Sequence, residues 1–310
     1  MAAPSGACPA IVGPTAVGKT RLVTELAARL PIEVISLDSR QIYRGLVIGT
    51  AQPTAAEQAA CPHHLVDFVD PDEAYNAQRF RADFVRVHGE ITARGGVPIL
   101  VGGAGLYLTA LREGFMEIPG HTPERLEEVR AELADLGDAE VRRRLAAVDA
   151  AAHARIHAND RVRSQRALEV FLVAGRTQTA LQAAQEPDPA LGLVFPTFVL
   201  ERGIDELDRR IAARTDAMLA AGWIDETAAL LQHHRADSPG LASIGYREIA
   251  AHLAGDLARD QLAGAIVRVT RQYAKRQRTW FRHVEAAGRF HPDDPALPAA
   301  VIAALSGRGS

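Results

Sequence analysis

Apolar positions along the chain fall into two rhythms. Short, nearly continuous apolar runs occur at Ala10-Ile11-Val12, Ile32–Asp38, Val97–Val101 and Phe195–Leu200. Runs of this length between turn residues read as strands buried on both faces. Between them, apolar residues recur at three and four. Leu22, Val23, Leu26 and Leu30 predict a helix over Arg21–Leu30, and Phe80, Phe84, Val87 and Ile91 predict one over Ala74–Arg94, stopped by Gly95-Gly96. A further helix begins at Leu106. Another covers about Asp205–Ala220 with Leu207, Ile211 and Met218 as its stripe, and a long one runs from about Gln261 to Arg282. Strands alternating with helices predict an α/β core built on a parallel sheet.

From Glu113 to about Gln185 the rhythm stays helical and offers no strand. Pro119, Gly120 and Pro123 open this stretch, and Pro187 and Pro189 close it. It therefore reads as an all-helical insertion over residues 113–190, within a core made of residues 1–112 and 191–310. The insertion's last helix has Asn159 or Asp160 as cap, Gly175 as its end, and Leu168, Phe171 and Leu172 facing a core. Residues 44–72 read as a connecting segment broken by glycines and prolines. Within it Thr54 and Glu57 have capping-box spacing, and His63-His64 read as loop residues. The tail after Arg289 carries few signals and reads as peripheral.

Composition narrows the class. The chain has 310 residues, a formal net charge of -3 and two distant cysteines without metal-site spacing. The cysteines fit a reducing interior and argue against a cysteine metal site, and any polyanion contact must come from local basic patches. The N-terminus lacks a charged and apolar leader, and the longest uncharged stretch, Val97–Leu111, falls short of the ~20 residues of a membrane span. The expectation is a cytoplasmic protein with no membrane contact.

The chemistry centres on Gly13, Pro14, Thr15, Ala16, Val17, Gly18, Lys19 and Thr20. They match G-x-x-x-x-G-K-[ST] between a predicted strand and a predicted helix, the arrangement of a phosphate-binding loop. Backbone N–H groups and the helix N-terminus would face phosphate oxygens, Lys19 would add charge, and the Thr20 hydroxyl would meet Mg2+. Asp38 ends the second strand at the same sheet edge. It could hold the metal, act as a general base, or cap the following turn. Arg214 falls within the apolar stripe of its helix, so it either forms a buried salt bridge or clamps the bound anion. Arg268, Arg271, Lys275, Arg278 and Arg282 share one helix face, which suggests a nucleic-acid backbone.

The ordered motifs are specific. G-P-T-A-V-G-K-T at Gly13–Thr20 is followed by I-S-L-D-S-R-Q-I-Y-R-G at Ile35–Gly45, I-G-T-A-Q-P at Ile48–Pro53 and L-V-G-G-A-G-L-Y at Leu100–Tyr107. R-A-L-E-V at Arg166–Val170, S-I-G-Y-R at Ser243–Arg247 and K-R-Q-R-T-W-F-R at Lys275–Arg282 complete the set. From Ile11 to Arg282 the chain resembles the bacterial tRNA dimethylallyltransferases. That resemblance implies transfer of a dimethylallyl group from dimethylallyl pyrophosphate to the exocyclic amine of the adenine 3′-adjacent to the anticodon. It implies Asp38, Lys19 and Arg214 as catalytic residues, the loop Gly13–Thr20 as pyrophosphate site, and Mg2+ at Thr20.

It also implies a tRNA surface in several parts. Asp38, Ser39, Arg40, Gln41 and Ala104 form one. Val162, Arg163, Ser164, Gln165 and Arg166 form the insertion's share, and Ser243, Ile244, Gly245, Tyr246 and Arg247 a third. Lys275, Arg276, Arg278 and Arg282 form the last. The expected partners are dimethylallyl pyrophosphate and a tRNA anticodon stem-loop, with the chain acting as a monomer. One departure is Ala104, where the family has threonine. Its loss removes a hydrogen bond worth roughly 0.5–1.5 kcal/mol. Alternatives are an adenylate isopentenyltransferase acting on free nucleotide and a phosphate-loop kinase of a small metabolite. The first would need neither a basic insertion nor the long basic face of the last helix, and the second would need ATP at the loop and a lid arginine set. A non-enzymatic RNA-binding module would leave Lys19, Thr20 and Asp38 unexplained.

Overall fold

The computed structural model describes residues 6–185 and 192–306. The chain divides into two compact units, residues 1–112 with 189–310, and residues 113–188. Pro187 and Pro189 lie outside the described residues.

The first unit is built on a six-stranded sheet. Its strands are β2 (Ala10–Val12), β3 (Ile32–Leu37), β4 (His63–His64), β5 (Val97–Gly102), β7 (Thr197–Leu200) and β8 (Gly288–Phe290), in the spatial order β4-β3-β5-β2-β7-β8, every pair parallel. Two short strands, β1 (Gly6–Ala7) and β6 (Leu193–Val194), pair separately. β2, β3 and β7 are buried at every position because helices cover both faces. Alternation along the strands sorts their side chains. Ala10, Val12, Ile35 and Leu37 pack with Phe80, Phe84, Val87 and Ile91 of the helix Ala77–Ala93. Ile11, Val34 and Ile99 pack on the other face with Leu22, Val23 and Leu26 of the helix Lys19–Ala27. Each of the larger of these side chains contributes roughly 1.5–3 kcal/mol through burial.

Register fixes where the loops emerge. Val12 lies beside Gly102 and Val199, and Leu37 beside Gly102. The residues that follow, Gly13, Asp38 and Gly103, therefore leave the sheet at one edge, the carboxyl edge where ligands bind in such folds.

Two expectations fail. His63-His64 is an edge strand rather than a loop: His64 Nε2 lies 2.6 Å from Glu33 Oε2, and Arg94 ion-pairs with the same carboxylate. A two-residue polar strand has no periodicity to read. The tail is not peripheral either. Gly288–Phe290 adds the outer strand, and the helix Ala296–Ser306 places Leu297, Val301 and Leu305 in the core beside Leu22 and Leu26. That helix is apolar on most sides, so its buried face has no polar counterpart to mark it.

The second unit is a helical cluster. Helices Pro123–Ala134, Asp138–Val148, Ala150–Arg155, Arg161–Ala174 and Gln178–Ala183 enclose Val129, Leu133, Val141, Leu145 and Leu168. The Asp160 side chain caps Arg161–Ala174 by accepting from Arg163 N, and Gly175 ends it in the left-handed conformation with φ 65°. Among the described residues it contains no strand.

Candidate active site

The phosphate-binding loop is shaped from within and held from behind. Gly18 adopts φ 112°, a conformation that disfavours side chains, and starts the helix Lys19–Ala27. No side chain caps that helix, so its first N–H groups are left for an anion. Lys19 Nζ donates to Gly13 O and Pro14 O at 3.0 Å each. Burial brings its ammonium from 10.5 to about 8, with Asp38 opposing the shift and Arg214 adding to it.

Three arginines reach the loop from Arg202 and the helix Ile204–Ala220. Arg202 Nε donates to Val17 O at 2.7 Å and Arg210 Nε to Ala16 O at 2.8 Å. Arg214 Nη1 makes a long contact of 3.5 Å to Thr15 Oγ1. Of the two readings of Arg214, the salt bridge is not what forms: among the described residues no carboxylate pairs with it. Burial lowers its pKa, and Asp38 is the acid that counters this. Its charge therefore remains available at the loop.

Gln277, from the helix Arg259–Arg282, ties two parts of the site together. Its Oε1 accepts from Thr15 N at 2.9 Å and its Nε2 donates to Gly103 O at 3.0 Å. A Cβ on Gly103 would overlap that Nε2, so glycine is needed there for the amide to fit.

Among the cavities at this loop, two share walls. One, of about 730 Å³, is lined by Lys19, Thr20, Gln52, Gly103 and Arg210, among others. The other, of about 350 Å³, has Ser39, Arg40, Ser243, Ile244 and Arg247 among its walls. Thr15, Ala16, Asp38, Thr50, Arg214 and Tyr273 line both, and so form the neck between them. Asp38 Oδ1 accepts from Arg40 N at 2.8 Å and Gln41 N at 3.3 Å, which caps the turn. Its Oδ2 has no partner among the described residues. One carboxylate thus shapes the turn and still presents a free oxygen.

The remaining candidates sort by exposure. Gln41 spends its side chain inside the fold, donating to Ala51 O at 2.7 Å and accepting from Ser36 Oγ. Ser243 is buried and donates to Gly240 O. Tyr246 is wholly buried, with its hydroxyl donating to Glu226 Oε1 at 2.6 Å, so it braces this segment from within. Arg247 is exposed. In the helical unit, Val162 and Arg163 are exposed, while Ser164 is fully buried against Arg142. Arg166 pairs with Glu169 at 3.1 Å. On the helix Arg259–Arg282, Arg271 pairs with Asp208 at 3.2 Å. Lys275, Arg276, Arg278 and Arg282 have no carboxylate partner among the described residues.

Sequence reasoning passed over Arg202, Arg210, Gln277 and Tyr273. Arg210 lies one helical turn before Arg214, and Gln277 sits inside the K-R-Q-R motif, so both had a local signal. Arg202 had none. Among the described residues, Asp70, Asp72 and His234 could gather round a cation, but this group lines neither cavity.

Comparison with known proteins identifies the family. A family model described as IPP transferase matches residues 41–284, and one described as isopentenyl transferase matches residues 7–64. The tRNA dimethylallyltransferase of Burkholderia thailandensis is 46% identical over 283 residues, covering 89% of this chain and 87% of that protein. That of Alkalilimnicola ehrlichii is also 46% identical, covering 88% and 86%. Among solved structures, the full-length tRNA isopentenylpyrophosphate transferase of Bacillus halodurans aligns over 97% of each chain with 35% identity and a TM-score of 0.69. A eukaryotic dimethylallyltransferase acting on tRNA aligns over 89% of this chain and 70% of that one, with 27% identity and a TM-score of 0.75. With a family model spanning most of its length and relatives this similar end to end, the chain belongs to the IPP transferase family of prenyltransferases.

Proposed function

We propose that the protein transfers a dimethylallyl group from dimethylallyl pyrophosphate to the exocyclic amine of the adenine 3′-adjacent to the anticodon of tRNA. The observation that carries this reading is the neck where two cavities meet at Asp38, Thr15 and Arg214. A group-transfer enzyme needs such a meeting point between donor and acceptor. The donor enters on the loop side. Its pyrophosphate is held by the loop N–H groups, Lys19 and Arg214, which stabilise charge as it develops on the leaving oxygen. The adenine enters on the side of Ser39, Arg40 and Arg247, after leaving its stack.

The amine nitrogen bonds to the allylic carbon, the carbon–oxygen bond breaks, and pyrophosphate departs with the bonding pair. The proton released from nitrogen passes to Asp38 Oδ2, the free oxygen of that carboxylate. Orientation in the neck matters because an adenine amine is a weak nucleophile. The Thr20 hydroxyl lines the loop cavity, a hard-oxygen donor suited to Mg2+ with phosphate and water as further ligands. Bound there, the ion would neutralise pyrophosphate charge.

The RNA body is held by cations. Lys275, Arg276, Arg278 and Arg282 meet RNA phosphates, and the helical unit offers the exposed Val162 and Arg163 as its own RNA contacts. Ala104 offers no hydroxyl to the base. Ser39, on the wall of the smaller cavity, or a water can supply one.

The test is transfer of labelled dimethylallyl to unmodified tRNA. Wild type transfers, Asp38→Ala loses most of the rate, and Lys19→Ala weakens donor use. Transfer to AMP but not tRNA would reassign the acceptor to a free nucleotide. Consumption of ATP without any prenyl transfer would overturn the reaction class.

A further inference from the structure

We propose that Trp280, which lies against Gly105, is a stacking platform for an unpaired RNA base next to the reacting adenine. The inference rests on the tRNA reading above and adds a contact that the cationic surface does not supply. Trp280 is 37% exposed. The indole lies directly against the start of the helix Gly105–Glu113, where a Cβ on Gly105 would overlap its ring. The absence of a side chain at Gly105 thus lets a large aromatic be braced by backbone and still reach solvent.

Position along the helix gives the platform its direction. Tyr273, Arg276 and Trp280 are spaced at three and four, so they share a face. Tyr273 lines both cavities, and Arg276 lines the smaller one with its guanidinium 5.7 Å from the Tyr273 ring centroid. An aromatic–cation–aromatic row therefore leads from the neck to the surface. Within this row Arg276 has no carboxylate partner among the described residues, and Lys275, Arg278 and Arg282 lie round the helix from it.

The two aromatics and the unpaired Arg276 guanidinium call for a partner with both flat faces and negative charge. Single-stranded nucleic acid fits them: bases stack on the aromatic faces while phosphates meet the cations. Extruding the adenine leaves a neighbouring base with an open face. Trp280 covers that face and keeps the loop in its opened form.

The test places 2-aminopurine on either side of the target adenine in an anticodon stem-loop RNA and follows its fluorescence on binding. Wild type should quench the probe at one flanking position. Trp280→Ala should abolish that quenching and weaken RNA binding roughly tenfold, with circular dichroism and donor binding unchanged. Trp280→Phe should restore most of both, which a general folding defect would not. Quenching and affinity in Trp280→Ala equal to wild type would overturn the inference. So would a wild type that transfers the prenyl group yet quenches neither probe, and that result would leave the proposed reaction standing. A wild type that neither binds the stem-loop nor modifies tRNA would instead remove the reading on which the inference rests.

Discussion

Replacing Lys19 with methionine should make the protein more stable and unable to use its donor. Lys19 Nζ sits under the loop with two carbonyl partners at 3.0 Å, and burial lowers its pKa from 10.5 to about 8. A lowered lysine pKa means that folding disfavours the charged form. At about 1.4 kcal/mol per unit, the shift corresponds to a cost of about 3 kcal/mol at neutral pH. Methionine removes that cost and gives up two hydrogen bonds worth about 1 kcal/mol each. The net gain is on the order of 1 kcal/mol.

The sign with pH follows. Below about 8, both folded and unfolded chains carry the charge and the cost is full. Between about 8 and 10.5, the folded chain releases the proton while the unfolded chain keeps it. Wild-type stability from this group therefore rises with pH in that window, and the advantage of Lys19→Met shrinks. Urea unfolding of both proteins, without ligand, at neutral pH and near the upper end of the window measures this. Calorimetric titration with the donor pyrophosphate should show binding lost in the variant. A variant less stable than wild type at neutral pH, or a stability difference that does not change with pH, would refute the reasoning.

Other positions give separate tests. Gly103→Ala should displace the Gln277 amide and release both Thr15 N and Gly103 O, raising the KM for donor with far less effect on RNA binding, as steady-state kinetics with each substrate varied in turn would show. Arg214→Ala should reduce donor kcat/KM by one to two orders of magnitude, and Arg214→Lys should recover only part, since a single ammonium replaces a planar fork. Leu297→Ala should cost roughly 2–5 kcal/mol in denaturant unfolding, because its side chain is fully buried against the loop-bearing helix. A surface tail would show almost nothing.

The legible parts of the fold were those with long or fixed patterns. Buried parallel strands announce themselves as apolar runs, and Ile32–Leu37 and Val97–Gly102 did so. The phosphate loop was readable because its backbone geometry demands particular residues at particular places. Asp38 was readable because it follows an apolar run directly. What stayed hidden depended on contacts between distant segments. Nothing local in Gly288–Phe290 shows that β7 leaves an open edge for it. Arg202 reads as an ordinary surface arginine until the fold sets it 2.7 Å from Val17 O. Tyr246 was misleading in the opposite direction: an aromatic beside a cation suggests an exposed contact, yet packing against Trp223 and a hydrogen bond to Glu226 draw it inside.

Gln277 has a consequence for the order of events. One amide joins the loop residue Thr15 to Gly103, and it is carried on the same helix as the cations proposed to meet RNA. A small rotation or slide of that helix on docking would move the hydrogen-bond partner of the loop itself. Acceptor and donor would then not bind as strangers. Whatever factor the RNA imposes on donor affinity, the donor must impose on RNA affinity. A helix that touches the acceptor outside and steadies the donor's cradle inside would work as a lever between the two substrates. Premature cleavage of the pyrophosphate would be restrained until both are seated.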